Sequence, residues 1–599
     1  MINCKKILAV GICISSLLCS SCKEGLDYEN ENAILPEVVW TDAAMINGFL
    51  NDIYGGLNPG WVFNAASSDE GCNRAKDLSN YLQGIITVDN SNVKLNYEYV
   101  DKINFFLKNL STVSTDVLSE EENKLMEAQA KFWRAWVYWG MVKQVGGVPL
   151  ILEPQNADNM EYVARNKTSE CINQIISDLD DAINSLPGKW EDEANDYGRI
   201  TKGAAMAVKG KVLLWYASPL FNPSNNKERW ENAYAANNNA VKYLIENGYG
   251  LYPDYKNLWY DERNQEVIMV NQYFYPGHAI NFNTIRPEPF TKDASWANQP
   301  LLPLLLAFPK KDGSRMDLDI NRLESDPQYN QDFMTDFYTN RDDRFYASIY
   351  CGGTQYPTPD FLPGYTEKTT LWLAWHWDAT NNKYNTMYSD FSIAGSPGVT
   401  GFCDRKGLDT TLVNAVVGNG QTDWIEIRFA EVLMNYGECA NELGKTDEAL
   451  QVLYDIRKRA GIEAGTNNTY GITATTIKDI REAYIDERFV EFAFEGKRFD
   501  DLRRWKRFDI LNNRGHREGL YLVLKENSPV PSLSDNIMDA EVRKNFRFDY
   551  IANIDGDPNY GFNLSLDHWF YALNPNQISQ SQNILEQNNE WGGSFDPLE

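Results

Sequence analysis

Histidine and closely spaced cysteines are scarce in this chain. Only four histidines occur among 599 residues. Beyond the first 22 residues the cysteines are Cys72, Cys171, Cys351, Cys403 and Cys439. These five are far apart in sequence, whereas zinc sites and small disulfide frameworks show characteristic close spacings. The sequence therefore predicts neither, and we expect no metal and no cofactor.

Positive charge is also in deficit. Lysine and arginine number 56 against 84 aspartate and glutamate, so the formal net charge is -28 at pH 7. A protein with this balance is repelled by the phosphates of nucleic acid and by anionic lipid headgroups. The composition therefore argues against a nucleic-acid partner and favours neutral ligands.

Long apolar runs are missing apart from a short one at the N-terminus, so no segment reaches the roughly 18 apolar residues of a transmembrane helix. Lys5 and Lys6 precede a mostly apolar stretch over residues 7–18, the order of a secretory signal. The following Leu17-Leu18-Cys19-Ser20-Ser21-Cys22 resembles a bacterial lipobox, whose last cysteine is diacylated. We predict a lipoprotein signal peptide over residues 1–21, lipidation of Cys22 and an acidic tether over residues 22–40. Cys19 stands where the pattern usually has leucine, and the alternative is ordinary signal cleavage that gives a soluble secreted protein.

Apolar residues recur at helical spacing in several segments, which is typical of a mainly α protein. The predicted helices cover residues 41–110, 119–145, 201–218, 427–443 and 446–459. Thr201 is a favourable N-cap, and Pro219 cannot continue a helix. Between residues 273 and 422 this periodicity is lost, and Pro, Gly, Asn, Asp and aromatic residues dominate. We predict that this segment is loop-rich and binds a ligand, because long loops in compact proteins are commonly functional.

Five sequence blocks carry a family resemblance. The first two are Arg134-Ala135-Trp136-Val137-Tyr138 with Gly146-Gly147-Val148-Pro149-Leu150, and Gly198-Arg199-Ile200-Thr201-Lys202-Gly203-Ala204-Ala205 with Ala217-Ser218-Pro219-Leu220-Phe221. The third is Ile427-Arg428-Phe429-Ala430-Glu431-Val432-Leu433-Met434-Asn435-Tyr436 with Ile456-Arg457-Lys458-Arg459-Ala460-Gly461. The last two are Glu487-Arg488 with Glu495-Gly496-Lys497-Arg498-Phe499-Asp500-Asp501-Leu502-Arg503-Arg504-Trp505, and Asn574-Pro575-Asn576-Gln577-Ile578 with Gln587-Asn588. Together they resemble the SusD/RagB family of outer-membrane glycan-binding lipoproteins.

The resemblance implies a SusD-like fold with tetratricopeptide-like helical hairpins and a loop-rich ligand face. It implies one domain over residues 41–599, with a helical scaffold at 41–272 and 423–510, the ligand-binding region at 273–422 and a C-terminal segment at 511–599. It also implies a non-catalytic protein, held to the outer membrane and exposed at the cell surface. The expected partner is a SusC-like TonB-dependent transporter, to which the protein passes an oligosaccharide or, alternatively, a peptide.

Sugar rings combine an apolar C–H face with polar hydroxyls, so their binders pair exposed aromatics with amide, carboxylate or guanidinium groups. The candidate ligand-binding residues are Trp296, Trp375, Trp377, Trp372, Trp61, Asn73, Arg74, Tyr356 and Tyr365. If residues 370–377 are extended, Trp375 and Trp377 lie on one side and Trp372 on the other, so at most one side is a sugar platform. The alternative is a buried hairpin with its tryptophans in the core. Trp133, Trp136, Trp139, Trp215 and Trp505 follow helical patterns and are predicted to be scaffold.

Two rival interpretations are weaker. A glycosidase needs two carboxylates across a sugar, and Glu487 and Glu491 lie one helical turn apart. Arg481, Arg488 and Arg498 are close in sequence, and ion pairing to them would hold both carboxylates ionised, which does not suit a general acid. The segment Asp555-Gly556-Asp557-Pro558-Asn559 resembles the opening of a calcium loop, but Tyr560 occupies the glycine position and an Asp/Gly/Pro turn fits better.

Overall fold

The computed structural model describes residues 36–63, 65–156, 161–282, 298–355, 369–391, 396–410, 412–413 and 416–599. Helices dominate these residues. In chain order they are α1 (Pro36–Val39), α2 (Ala43–Leu57), α3 (Tyr97–Leu110), α4 (Glu120–Val145), α5 (Thr168–Ser185), α6 (Glu193–Asp196), α7 (Lys202–Ala217), α8 (Lys227–Glu246), α9 (Leu302–Ala307), α10 (Ile320–Ser325), α11 (Pro327–Thr339), α12 (Asp343–Ser348), α13 (Met387–Phe391), α14 (Phe429–Glu442), α15 (Thr446–Arg459), α16 (Ile477–Glu491), α17 (Arg498–Arg504), α18 (Asp509–Asn512), α19 (Ala540–Arg543) and α20 (Pro575–Gln580).

The strands are short and form small sheets. They are β1 (Gly71–Cys72), β2 (Val267–Asn271), β3 (Gln299–Pro300), β4 (Ile349–Cys351), β5 (Thr354–Gln355), β6 (Thr370–Leu371), β7 (Trp375–Asp378), β8 (Lys383–Thr386), β9 (Phe402–Asp404), β10 (Trp424–Arg428), β11 (Gly519–Leu524) and β12 (Phe546–Ile551). The largest described sheet has four strands in the order β12-β11-β7-β8. The others are the pairs β1-β3, β2-β10, β4-β9 and β5-β6.

Local signals explain the long helices. Thr201 caps α7 by accepting a hydrogen bond from the Ala204 N–H, and Ser119 and Glu122 form a capping box at the start of α4. Helices α4 and α5 pack together, as do α7 with α8 and α14 with α15. The mainly α fold expected from the sequence is confirmed, and the packed helix pairs are consistent with the predicted hairpins.

Two of the sequence-based predictions need correction. The described residues between α2 and α3 are turns, short 3-10 helices and strand β1 rather than α-helix. The segment 273–422 is less irregular than predicted, because it contains α9 to α13. Asp319 and Asp326 start α10 and α11 by accepting backbone N–H groups, and Pro327 fits the first turn of α11 because it has no N–H to lose.

The hydrophobic core has two large parts. One joins α2 to α5, α7 and α8 with α14, α15 and the start of α16, and includes Trp133, Trp139 and Trp215. The other joins α9 to α12 with the four-stranded sheet. Trp505 is buried as well, and Trp136 is partly buried against the first part. These five tryptophans are scaffold, as predicted.

Within the described ranges, no helix is both long and apolar enough to cross a membrane. The five cysteines from Cys72 onward are buried and unpaired.

Candidate functional site

The four-stranded sheet presents an aromatic surface on one side. Strand β7 runs parallel to β11, with Trp375 opposite Val523, and antiparallel to β8, with Trp377 opposite Tyr384. Because successive side chains point to opposite faces of a strand, the side chains of the sheet fall into two sets, one on each face. Leu520, Leu522, Leu524, Phe546 and Phe548 are buried in the core. The other side, which we call the aromatic face, consists of Trp375, Trp377, Tyr384, Tyr521, Arg547 and Asp549.

The rings of the aromatic face contact one another in series. Trp375 stacks on Tyr521 with ring centroids 3.7 Å apart and planes within 9°. Tyr384 meets Tyr521 edge-on at 5.3 Å and Trp377 at 4.8 Å. Trp375 is buried, whereas the other three rings are partly exposed. The exposed parts of Trp377, Tyr384 and Tyr521 therefore provide an apolar surface that rests on a rigid stack.

Polar groups border these rings. The Tyr384 hydroxyl donates to Asp549 Oδ2 at 3.0 Å, and Arg547 holds the same carboxylate through Nε and a terminal nitrogen at 2.7 and 2.9 Å. Burial raises the pKa of both Tyr384 and Tyr521, so both hydroxyls are protonated near neutral pH. A planar apolar surface with adjacent hydroxyl, carboxylate and guanidinium groups matches the two chemical sides of a sugar ring.

Gly401 is required for the position of Trp375. Its φ is +79°, and a Cβ at this residue would lie 2.8 Å from the Trp375 ring. Any other residue would strain the backbone and displace the indole. The segment ending at Gly401 is itself held by Gln299, whose Oε1 accepts hydrogen bonds from the backbone N–H groups of Val399 and Thr400.

The loop after β1 lies beside this arrangement. Cys72 pairs with Gln299 across β1 and β3, and Gln299 in turn holds the segment that ends at Gly401, beside Trp375. The Asn73 side-chain oxygen accepts from the Asn298 N–H at 3.2 Å, and the backbone carbonyl of Asn73 accepts from Gln299 Nε2 at 2.8 Å. Asn73 therefore fixes the residue that directly follows segment 283–297.

Arg74 is exposed, and its guanidinium makes no hydrogen bond within the described part of the chain. Its backbone is held by Asp77 and by Arg517. Asn73 is thus linked through Gln299 to the segment that positions Trp375, whereas no described contact joins Arg74 to the aromatic face.

Trp375 was predicted to bind the ligand, but it is buried between Tyr521 and Gly401 and supports the aromatic face instead. Asn73, Arg74 and Trp377 stay proposals as ligand contacts.

Trp372 corrects part of the sequence prediction. It is completely buried, its ring stacks on Phe546 at 5.1 Å, and its Nε1 donates to the Ser532 carbonyl at 3.0 Å. It points into the core, opposite to Trp375 and Trp377, so its ring offers no surface to a ligand.

Trp61 belongs to another aromatic cluster. Its ring packs against Trp259, Phe282 and Trp424 at 5.2 to 5.5 Å, and its Nε1 donates to the Thr422 carbonyl at 2.9 Å. It stays partly exposed. Trp296, Tyr356, Tyr365 and Cys22 lie outside the described residues.

Sequence reasoning missed Tyr384, Tyr521, Arg547 and Asp549. The signal was present in the alternation of residues 519–524 and 546–549, where apolar positions alternate with Tyr521, Arg547 and Asp549. No local pattern, however, indicates that β7 pairs with β11, because their paired residues are far apart in the chain.

The glutamates considered for catalysis belong to a buried ion-pair network. Glu487 contacts Arg344 at 2.6 Å and Arg457 at 2.7 Å, and Glu491 contacts Arg344 at 3.0 Å and Arg428 at 2.6 Å. Burial alone would raise the pKa of each glutamate, but the surrounding arginines outweigh it and hold both pKa values below the usual range. Both are therefore ionised acceptors and cannot serve as a general acid near neutral pH.

The partners of these glutamates differ from the predicted ones. Arg481 pairs with Glu442, Arg488 with Asp501 and Arg498 with Asp69. The conclusion about ionisation holds, but the arginines that cause it come from distant segments.

The Asp555 loop is a turn fixed by ion pairs. Asp555 is held by Arg517, and Asp557 pairs with Lys76 at 2.9 Å. Among the described residues no group of three or more His, Cys, Asp or Glu side chains could hold a metal ion.

Glu70, directly before β1, is a buried acid with a displaced pKa. Burial raises its pKa to about 8, although the Phe494 N–H and Lys406 act against this shift. The folded protein therefore keeps a proton on Glu70 up to about pH 8, whereas the unfolded chain loses it near the ordinary value of about 4. Because the native state binds more protons in this window, rising pH removes stability at this site.

Glu70→Gln is expected to remove this penalty while keeping the oxygen that accepts from Phe494. Its free energy of unfolding, relative to the wild type, should rise on the order of 1 kcal/mol per pH unit between pH 5 and 8. Urea denaturation at pH 5, 6.5 and 8 measures this. Glu541→Gln, at a side chain that is 79% exposed, is the control. If the free energies of unfolding of Glu70→Gln and the wild type changed equally with pH, the expectation would be contradicted.

Comparison with known proteins places the chain among relatives of one family. The SusD family model matches residues 265–591, and a model described as starch-binding and associating with the outer membrane matches residues 60–214. SusD-like protein P25 of Formosa agariphila is 23% identical over 518 residues, which cover 81% of this chain and 87% of that protein.

Solved structures share the fold. A SusD-like protein from Bacteroides fragilis superposes with a TM-score of 0.69 at 22% identity, over 92% of this chain and 98% of that one. A laminarin-binding SusD-like protein gives a TM-score of 0.53 at 19% identity, over 91% and 98%. Because the SusD family model matches more than half of its residues, the chain belongs to the SusD family.

Proposed function

We propose that this protein binds an oligosaccharide on the aromatic face. The main support is the row of partly exposed rings, Trp377, Tyr384 and Tyr521. This row rests on the buried Trp375 and is bordered by Arg547 and Asp549. The family includes a structural neighbour described as laminarin-binding. Arg74, exposed in the loop that follows β1, is proposed as a further donor to sugar hydroxyls.

A measurable affinity requires several contacts between sugar rings and the protein. Covering one ring face contributes about 1 kcal/mol at roughly 25 cal/mol per Å². Even millimolar affinity needs about 4 kcal/mol. Trp377, Tyr384 and Tyr521 together with the polar border would supply that amount, so we propose that the ligand spans more than one sugar unit.

Binding to a polysaccharide panel tests the function. Calorimetry against laminarin, starch, xylan and mannan should give a measurable Kd for at least one of them. Binding to peptides but to none of a broad set of glycans would favour the peptide-binding alternative. We propose no catalysis, because Glu487 and Glu491 are locked in ion pairs and the carboxylate of the aromatic face, Asp549, is held by Arg547. Release of reducing ends from a bound glycan would contradict this.

We also propose that the protein delivers its ligand to a SusC-like TonB-dependent transporter at the cell surface. Support comes from the family and from the net negative charge, which favours neutral ligands over nucleic acid. Co-purification of the tagged chain with such a transporter from outer membranes tests the partnership. Recovery of the chain alone would contradict it.

The anchor is proposed to be lipid on Cys22. Cys22→Ala should abolish incorporation of labelled palmitate and release the protein from the membrane fraction, because stable attachment needs more than one acyl chain. Cys19→Ala is the matched control and should stay lipidated. Labelling that persists in Cys22→Ala but is lost in Cys19→Ala would assign the anchor to Cys19 instead.

A further inference from the structure

A cavity lies within the helical scaffold, and none of its lining residues belongs to the aromatic face. It has a volume of about 430 Å³ and is walled by the segment from Gly188 to Thr201, the residues after α8 and the segment leading into β2. Its size falls within the range of small-ligand pockets, about 300 to 1,000 Å³. We call it the scaffold pocket and define it by Trp190, Tyr197, Asn247, Tyr249, Arg263 and Gln265.

Three aromatic rings are fixed in its wall. Trp190 Nε1 donates to the Ile200 carbonyl at 3.2 Å, and Tyr249 is partly buried against the large helical core. Tyr197 carries the Arg263 guanidinium 4.6 Å from its ring centroid. These contacts order the rings without a ligand, so binding would require little loss of side-chain freedom.

Several polar atoms of the pocket are uncommitted. The oxygen of the Tyr197 hydroxyl faces the Arg263 backbone N–H, but the hydroxyl donates to no described residue, and burial raises its pKa, so it is a protonated and uncommitted donor. The Arg263 guanidinium makes no hydrogen bond to any described residue. Gln265 and Asn247 each donate to a backbone carbonyl, of Leu251 and Tyr243, which leaves their amide oxygens as acceptors.

An apolar ligand would cover these groups without offering them partners, which is unfavourable. A ligand with many hydroxyl groups would satisfy both the donors and the acceptors.

The charges of the wall are nearly balanced. Lys189 pairs with Glu193, and Arg199 pairs with Asp196 at 2.7 Å. Arg263 interacts with the acids Glu262 and Asp423. These three cations and four acids nearly cancel, so a neutral ligand fits better than a highly charged one.

Two exposed aromatic residues lie in a turn next to this wall. Gly198 lies against the Gln272 side chain, and the Gln272 carbonyl is 2.7 Å from His278 Nδ1. His278 closes a turn whose tip carries Phe274 and Tyr275, which are 56% and 57% exposed. Exposed rings beside a pocket with hydroxyl-binding groups would extend the contact to a neighbouring sugar unit.

We propose that the scaffold pocket is a second carbohydrate subsite, which takes a neutral mono- or disaccharide unit independently of the aromatic face. This goes beyond the proposed function, since the aromatic face could bind glycan whether or not the pocket does.

Fluorine NMR on protein labelled with 5-fluorotryptophan distinguishes the two sites in one titration. Trp190 reports on the pocket and Trp377 on the aromatic face, and Trp190→Phe and Trp377→Phe assign their resonances. The probes are glucose, maltose, cellobiose, laminaribiose and xylobiose. At least one should shift the Trp190 resonance in a saturable manner.

Arg263→Asn removes the guanidinium, and asparagine tolerates the φ of +63° found there. It should weaken the Trp190 response about fivefold, as for the loss of one hydrogen bond, and leave the Trp377 response unchanged. Tyr197→Phe keeps the ring and should act in the same direction. If no probe moves Trp190, or if both variants respond like the wild type, the second subsite is refuted. A shift at Trp377 alone would refute the pocket while leaving the proposed function intact.

Discussion

Arg428→Met is expected to lower the free energy of unfolding by about 3 to 5 kcal/mol, the cost of breaking a buried ion pair from one side. The Arg428 side chain is fully buried and contacts Glu266 at 2.7 Å, Glu491 at 2.6 Å and Glu495 at 2.8 Å. Without it, Glu495 keeps Lys406 and Glu491 keeps Arg344 and Arg459, but several buried carboxylate oxygens lose their donors. The network links the residue before β2, the end of β10 and the end of α16 with the residues that follow it, so the loss should affect the whole scaffold.

Equilibrium urea denaturation measures this change. Arg315→Met is the control, because its pair with Asp486 has side chains that are 77% and 52% exposed, and such pairs contribute at most about 1 kcal/mol. An Arg428→Met loss as small as that of Arg315→Met would show that the buried network does not stabilise the fold.

Trp377→Ala combined with Tyr521→Ala is expected to weaken oligosaccharide binding about tenfold to a hundredfold. Each ring face contributes about 1 kcal/mol by burial, and 1.4 kcal/mol corresponds to a tenfold change in Kd. Both rings are partly exposed, so their loss should cost less stability than removal of a core aromatic. Calorimetry with the glycan selected from the panel gives the Kd values.

The control is Tyr162→Ala, which removes a ring that is 39% exposed and is not part of the aromatic face. It should bind like the wild type. Tyr521→Phe should retain most of the affinity, because the ring face is kept. Unchanged affinity in the double alanine variant, with its fold intact, would exclude the aromatic face as the ligand site.

The sequence predicts those parts of the fold that depend on local signals. Helix α15 begins at Thr446 and ends at Arg459, as predicted, because acidic residues lie in its first turn, basic residues in its last, and Gly461 follows at φ +75°. Helix α7 is equally well defined by Thr201. Family blocks identify the architecture beyond what periodicity alone supports.

The site is less accessible from sequence, because it depends on contacts between distant segments. Alternation separates Trp372 from Trp377, but contacts with distant residues decide which of the two is buried: Trp372 stacks on Phe546 and donates to the Ser532 carbonyl. Likewise, Glu487 has arginines nearby in sequence, but its partner Arg344 lies 143 residues away. Tyr521 and Asp549 come from the C-terminal segment, where no candidate residue was expected.

A crystal structure of the protein soaked with the tightest-binding oligosaccharide tests the central claim most directly. A sugar ring lying parallel to Trp377 or Tyr521, with hydroxyls within hydrogen-bonding distance of Asp549 or Arg547, is the predicted result. Ligand bound elsewhere, with the aromatic face empty, would contradict it.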